Sequence, residues 1–147
     1  QSRDSPMKID SAFSRQSTVL MDSTAPDMRP TVGHYIRKIL ITSDNDAYNR
    51  LYEFLGQDDF NNALREKGYS ESRIIHRLSI SRTPEENLNT NPMQFFDGDS
   101  IIYSQPPVRS SGKFHPDNSI LRGEGYETNL SISDIKIIFP SVNNTNC

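Results

Sequence analysis

Apolar residues in the first half of the chain fall into two helical stripes divided by a short polar stop. Tyr35, Ile36, Ile39 and Leu40 recur at i, i+1, i+4 and i+5, and Ala47, Leu51, Phe54 and Leu55 at i, i+4, i+7 and i+8. Both spacings belong to amphipathic helices with one buried face. Between them, Ser43-Asp44-Asn45 predicts a tight helix-to-helix corner in which Ser43 or Asp44 caps the second helix by accepting from its orphan N–H groups. Thr31 is placed to cap the first helix, and Gly56 to close the second with a positive φ. A third helix opens at Gln57-Asp58-Asp59, where acidic side chains suit the positive end of the dipole, and runs to Lys67 before Gly68 stops it. Residues 31–68 therefore read as three helices with short joints.

The remainder is less periodic. Residues 1–30 form an extended approach segment in which Ser17 to Met21 predicts one short strand, and Pro26, Pro30 and Gly33 punctuate a loop. Arg73 to Ser79 leads into Ser81 to Pro92, a long ordered loop rich in Asn, Thr and Pro. Ser100-Ile101-Ile102-Tyr103 reads as a strand that Pro106-Pro107 stops, followed by a loop-like stretch over 104–129. A last helix is predicted over Ser131 to Phe139, with Asp134 three places after Ser131 and a stripe of Ile132, Ile135, Ile138 and Phe139. Pro140 ends it, leaving 141–147 as a loose tail. The predicted fold class is mainly α with irregular loops and one or two short strands, its body spanning 31–140.

Composition narrows the function classes. Of 147 residues 33% are hydrophobic and none is Trp, a thin supply for a free-standing core and one that suits part of a larger domain. The net charge of −3 comes without a basic cluster, which argues against nucleic acid as a partner. No apolar run approaches the roughly 18 residues of a membrane span, and Gln1 to Asp10 lacks the apolar core of a signal peptide. The single cysteine, Cys147, allows no intrachain disulfide. His34, His76 and His115 lack ligand spacing and read as solvated or structural, so neither metal nor organic cofactor is implied. Asn129-Leu130-Ser131 and Asn143-Asn144-Thr145 match the glycosylation sequon.

Taken as a run, Ser43-Asp44-Asn45 followed by Ala47, Asn49, Leu51 and Leu55-Gly56 resembles the S-D-N segment of the penicillin-recognising serine hydrolases, most closely that of class A β-lactamases. The resemblance implies a hydroxyl at Ser43 that relays a proton toward the leaving nitrogen, an Asp44 carboxylate that holds the corner together, and an Asn45 amide that faces substrate. Glu85-x-x-Leu88-Asn89 carries the letters of the family's E-x-x-L-N element, whose Glu and Asn hold the hydrolytic water; by resemblance those roles fall on Glu85 and Asn89. The spacing departs from the family, because several extra residues separate Arg73–Arg77 from Glu85 and Ser79 falls near where the Glu is expected. Either the loop is longer or the deacylating base has been lost.

The family's Ser-x-x-Lys needs its Ser on the first turn of a buried helix with the Lys one turn on. Its letters occur at Ser5–Lys8, Ser110–Lys113 and Ser133–Lys136. Only Ser133 heads a predicted helix, and it follows the triplet rather than preceding it. The Lys-[Ser/Thr]-Gly strand is absent, Ser111-Gly112-Lys113 being its reverse. The expectation is a helical middle portion of such a hydrolase, with the nucleophile before residue 1 and the basic strand beyond Cys147. That parent acts on a β-lactam or a cell-wall peptide in the periplasm or outside the cell, while this chain alone is inactive. The competing class is a binding or structural module that keeps the fold without the chemistry.

Overall fold

The computed structural model describes residues 2–114. The predicted helix over 131–139, both sequons, His115, Ser133 and Cys147 lie outside the described residues. Chain order is β1 (Met7–Ile9), a 3-10 turn at Pro26–Met28, α1 (Val32–Thr42), α2 (Asn45–Glu66), α3 (Pro84–Asn87), β2 (Met93–Asp97) and β3 (Ser100–Gln105). Helices and irregular loops dominate, as the patterning predicts. The sheet has three antiparallel strands in the order β1-β2-β3, with Met7 opposite Phe95 and Phe95 opposite Tyr103.

Strands β1 and β2 escape the periodicity argument because one is three residues long and the other is five. Both alternate: Met7 and Ile9, then Met93 and Phe95, turn inward while Lys8 and Gln94 turn out. With Tyr35 of α1 and Ala47 of α2 these residues make the core, and Val19, Val32, Ile39, Leu51 and Phe54 pack around it. The approach segment thus begins with a strand of the sheet. The strand expected over Ser17 to Met21 reduces to one antiparallel bridge, in which Val19 and Ile9 exchange hydrogen bonds of 2.8 and 3.0 Å. The outer edge of β1 is too short for more, since its next N–H, that of Met7, is taken by the Pro30 carbonyl at 2.9 Å.

Thr31 caps α1 as expected, its hydroxyl accepting from the His34 N–H at 3.0 Å. The stripe on α1 is only partly buried. Tyr35 is enclosed and Ile39 half-buried, whereas Leu40 and Ile41 are each 78% exposed. Gly33, His34 and Tyr35, all in the first turn, are the buried residues of α1. The Gly33 N–H donates to the Arg3 carbonyl at 2.8 Å, so closely that a side chain there would meet Asp4.

Gly56 divides α2 with φ 75° and ψ 164°, a conformation essentially confined to glycine, so the second and third predicted helices abut without a loop. The break frees the N–H groups of Gln57 and Asp58, and the Ser110 hydroxyl accepts from both, at 3.1 and 3.3 Å. Asp58 answers by accepting from the N–H and hydroxyl of Ser111 at 2.7 and 3.0 Å. Ser110 is therefore a cap supplied from more than fifty residues away. A Cβ on Gly56 would stand 2.8 Å from the Thr90 methyl. Replacing Gly56 by Ala is expected to destabilise the chain by ~1–3 kcal/mol through forced backbone strain and that clash, and Ser110→Ala by ~1 kcal/mol through the lost cap. Urea denaturation followed by circular dichroism checks both.

Candidate functional site

The corner forms as the three polar residues predict, and it resolves which of them caps α2. Ser43 takes the left-handed conformation at φ 53° and ψ 41°, reversing the chain at the end of α1. Asp44 is the N-cap, its Oδ1 accepting from the Ala47 N–H at 2.9 Å. Its other oxygen lies 3.1 Å from the Lys38 ammonium of α1. The Ala47 N–H first, and Lys38 after it, hold the Asp44 carboxyl below the ordinary value of 3.8, against the opposing effect of partial burial. Ser43 and Asn45, on either side of this rivet, both present their side chains to solvent. A serine in the left-handed region costs of order 1–3 kcal/mol and persists only where its surroundings over-determine it.

Facing the corner is the loop from Tyr69 to Pro92, most of which has no ladder to join. Its backbone groups need partners all the same, and polar side chains of α2 supply them. The Asn49 amide clasps Leu78, donating to its carbonyl at 2.9 Å and accepting its N–H at 2.7 Å. Asn61 clasps Ile74 in the same way at 2.6 and 2.8 Å, and Gln57 donates to the Ile75 carbonyl at 3.1 Å. Tyr52 reaches the Asn87 carbonyl at 3.0 Å. The Asn49 and Asn61 amides each stand in for a neighbouring strand, offering a donor and an acceptor side by side.

At the centre of this contact is a buried ion pair. Arg77 is 4% exposed and Glu53 is 5% exposed, and the Arg77 Nε donates to Glu53 at 2.9 Å. The remaining guanidinium hydrogens reach the Glu86 carbonyl at 3.1 Å, the Asn87 side chain at 3.3 Å and the Asn89 carbonyl at 2.9 Å. One planar fork therefore binds three separate points of the loop to α2. Glu53 also takes Arg50 at 3.2 Å, and Arg50 takes Asp46 one turn back at 3.2 Å.

This clamp delivers Ser79 to the corner. Ser79 is itself left-handed at φ 56°, and its hydroxyl accepts from the Asn45 amide at 2.6 Å. Of the residues singled out in the sequence, the structure brings together Ser43, Asp44 and Asn45, with Ser79 against Asn45. Glu85 and Asn89 stand elsewhere in the loop. The Glu85 carboxylate is 70% exposed and pairs with Arg109, and Asn89 forms a backbone bridge with Arg109 and reaches back to the Glu85 carbonyl at 3.4 Å. Among the described residues, Asn45 and Ser79 hydrogen-bond to each other and to no carboxylate. The nearby Tyr48 phenol is pushed up to about 12 by burial, so it stays protonated at neutral pH.

The other expectations are placed as follows. Ser5 precedes a strand and Lys8 lies in it, so this Ser-x-x-Lys has no helix to bring amine and hydroxyl together. His34 is structural: it is buried, with Nε2 3.1 Å from the Thr24 hydroxyl and 3.4 Å from Asp22. His76 is exposed, its Nδ1 2.9 Å from the Arg77 carbonyl. Asn49, Glu53, Gln57, Asn61 and Arg77, which build the site's frame, were not marked by the apolar pattern. For the four on α2 the signal was an amide or carboxylate recurring every four residues, at Asn49, Glu53, Gln57 and Asn61, away from the apolar stripe; Arg77 lies in the loop and has no such pattern.

Two expectations follow from this frame. Glu53→Leu leaves the buried Arg77 guanidinium without its carboxylate and is expected to cost ~3–5 kcal/mol, read as a lower urea midpoint. Asp22 and Asp44 both have folded values below 3.8, so the stability they contribute is complete above that value and is lost as pH falls through their lowered values. Melting temperature should therefore drop below about pH 4, and an Asp44→Ala variant, itself destabilised by ~1–2 kcal/mol, should show a shallower drop.

Comparison with known proteins places the chain. No curated protein and no solved structure matches it. The family model described as the β-lactamase enzyme family matches residues 1–100, a span that includes the Ser43-Asp44-Asn45 corner, the clamped loop and most of the sheet. No helix among the described residues is long and apolar enough to cross a membrane, and no group of His, Cys, Asp or Glu among them is arranged to hold a metal ion. With the matched segment covering well over half of its length, this chain belongs to the β-lactamase enzyme family.

Proposed function

We propose that the chain supplies the Ser43-Asp44-Asn45 wall of a serine-hydrolase site that opens an amide, in a β-lactam or a cell-wall peptide, through an acyl-enzyme. The observation that carries this reading is the corner itself: two exposed polar side chains, Ser43 and Asn45, held on either side of an Asp44 carboxylate that is hydrogen-bonded to Ala47 and paired with Lys38, and backed by a clamped loop. Fixed dipoles on a rigid wall are what an acyl-transfer site requires, because they need no reorganisation as charge develops. In the acylation step a serine oxygen attacks the carbonyl carbon, the C–N bond breaks, and the nitrogen receives a proton that the Ser43 hydroxyl relays. The Asn45 amide orients the substrate. Family membership favours a periplasmic or extracellular setting.

The nucleophile in this reading is not among Ser5, Ser43, Ser79 and Ser110, whose positions lack an amine one helical turn away. Chain 1–147 by itself is expected neither to hydrolyse a chromogenic cephalosporin nor to take up a fluorescent penicillin. Stoichiometric labelling of any serine in it would overturn this assignment.

Glu85 is the second point. Its salt bridge with Arg109, and Ser79 in contact with Asn45, support the alternative in which the hydrolytic base is absent and acyl-enzyme accumulates. In a polypeptide where a Ser-x-x-Lys helix precedes this chain, a burst followed by slow turnover is expected, unchanged by Glu85→Gln. A positioned general base contributes about 10²–10⁴-fold. Rapid turnover abolished by that substitution would instead place Glu85, with Asn89, in the site. Failure of that longer polypeptide to be labelled at all would favour the binding-module reading, for which the exposed, base-free corner is also suited.

A further inference from the structure

We propose that Lys38 is the positioning residue of the Ser43-Asp44-Asn45 corner, tying it to the Asp22–Thr24 turn so that the two ends of the corner keep one geometry. The inference rests on the reading of the corner as a catalytic wall, and it adds a residue and a contact that the family motif does not contain.

Lys38 acts on the corner twice. Its carbonyl accepts the Thr42 hydroxyl at 2.8 Å and the Asp44 N–H at 3.4 Å, and it shares the Ser43 N–H with the Ile39 carbonyl. The side chain brings the ammonium 3.1 Å from Asp44 and 3.7 Å from Asp22 at only 21% exposure. Asp44 is thereby divided between two helices, one oxygen on the first turn of α2 and the other on Lys38 of α1. Asp22 is no loose counter-ion. Its Oδ1 accepts from the Thr24 N–H and hydroxyl at 2.9 and 2.6 Å, and its other oxygen faces buried His34 at 3.4 Å.

The physical consequence concerns Ser43. A left-handed serine between two helices relaxes unless both flanks are held. The α2 flank is held by the Asp44 cap, and the α1 flank by Lys38. Without the ammonium, the Asp44 carboxylate keeps its Ala47 bond but loses its hold on α1, leaving only the 3.4 Å backbone bond to the Lys38 carbonyl, and the relative placement of the Ser43 hydroxyl and the Asn45 amide is less firmly fixed. Displacements near 1 Å in a catalytic arrangement cost on the order of 10²-fold in rate. A partly exposed ion pair contributes little to global stability. Rate and stability should therefore separate.

The test uses Lys38→Met and Lys38→Arg with two readouts. In the 147-residue chain, carboxyl NMR titration follows Asp44. Lys38→Met is expected to move its midpoint up toward the ordinary 3.8 and to shift the Ser43 and Asn45 amide resonances, while the melting temperature stays within a few degrees. In a polypeptide where a Ser-x-x-Lys helix precedes this chain, Lys38→Met is expected to slow acylation by a fluorescent penicillin by about 10²-fold, and Lys38→Arg to recover most of it. An unmoved Asp44 midpoint, or an unchanged acylation rate, overturns the proposal. So does a slowing that tracks lost helicity or that arginine does not rescue, since that marks a purely structural lysine. If even the wild-type polypeptide is not labelled, the catalytic reading of the corner fails, and the titration still decides whether Lys38 sets the geometry of Asp44.

Discussion

The Arg77–Glu53 ion pair is the contact on which the rest of the arrangement depends. A loop of more than twenty residues carries many backbone donors and acceptors, and it cannot lie against a helix without partners for them. A single guanidinium spans the Glu53 carboxylate and two loop carbonyls while a third loop residue offers its side chain, so one desolvated charge organises several turns. Such pairs are weak evidence of net stability, because desolvation offsets much of the attraction. Their value here is specificity. An apolar patch would allow the loop to slide, whereas a planar fork with fixed acceptors, together with the Asn49 and Asn61 clasps, allows one register.

Register decides what the corner meets. With Leu78 clasped by Asn49 and Arg77 anchored beside it, Ser79 has one place to go, and it arrives in a strained left-handed conformation against Asn45. The opposite side of the contact carries the same kind of strain at Ser43. Two left-handed serines, each stabilised by a polar frame, put three exposed hydrogen-bonding side chains on one wall. Backbone geometry of this kind persists only where the surrounding contacts over-determine it.

The helical part of the fold was largely legible from the sequence. Apolar spacing, the caps at Thr31 and Asp44 and the glycines at 56 and 68 fix α1, the corner and α2, because they act within a few residues of where they stand. The family was legible for the same reason, since Ser43-Asp44-Asn45 is one contiguous run. The short strands were not, because Met7-Lys8-Ile9 and Met93 to Asp97 alternate over too few residues to stand out from loop.

Periodicity separates the apolar from the polar side of α2 and is silent on what the polar side touches. Only the tertiary structure decided that Asn49, Glu53, Gln57 and Asn61 are buried against a loop of their own chain, that Ser110 caps a helix broken at Gly56, and that Ser79 rather than Glu85 meets Asn45. Each of these is a bond between residues 13 to 53 positions apart. Local sequence sets which groups can donate and accept; which donor finds which acceptor at that separation is settled by how the loop packs, and there the buried Arg77 is decisive.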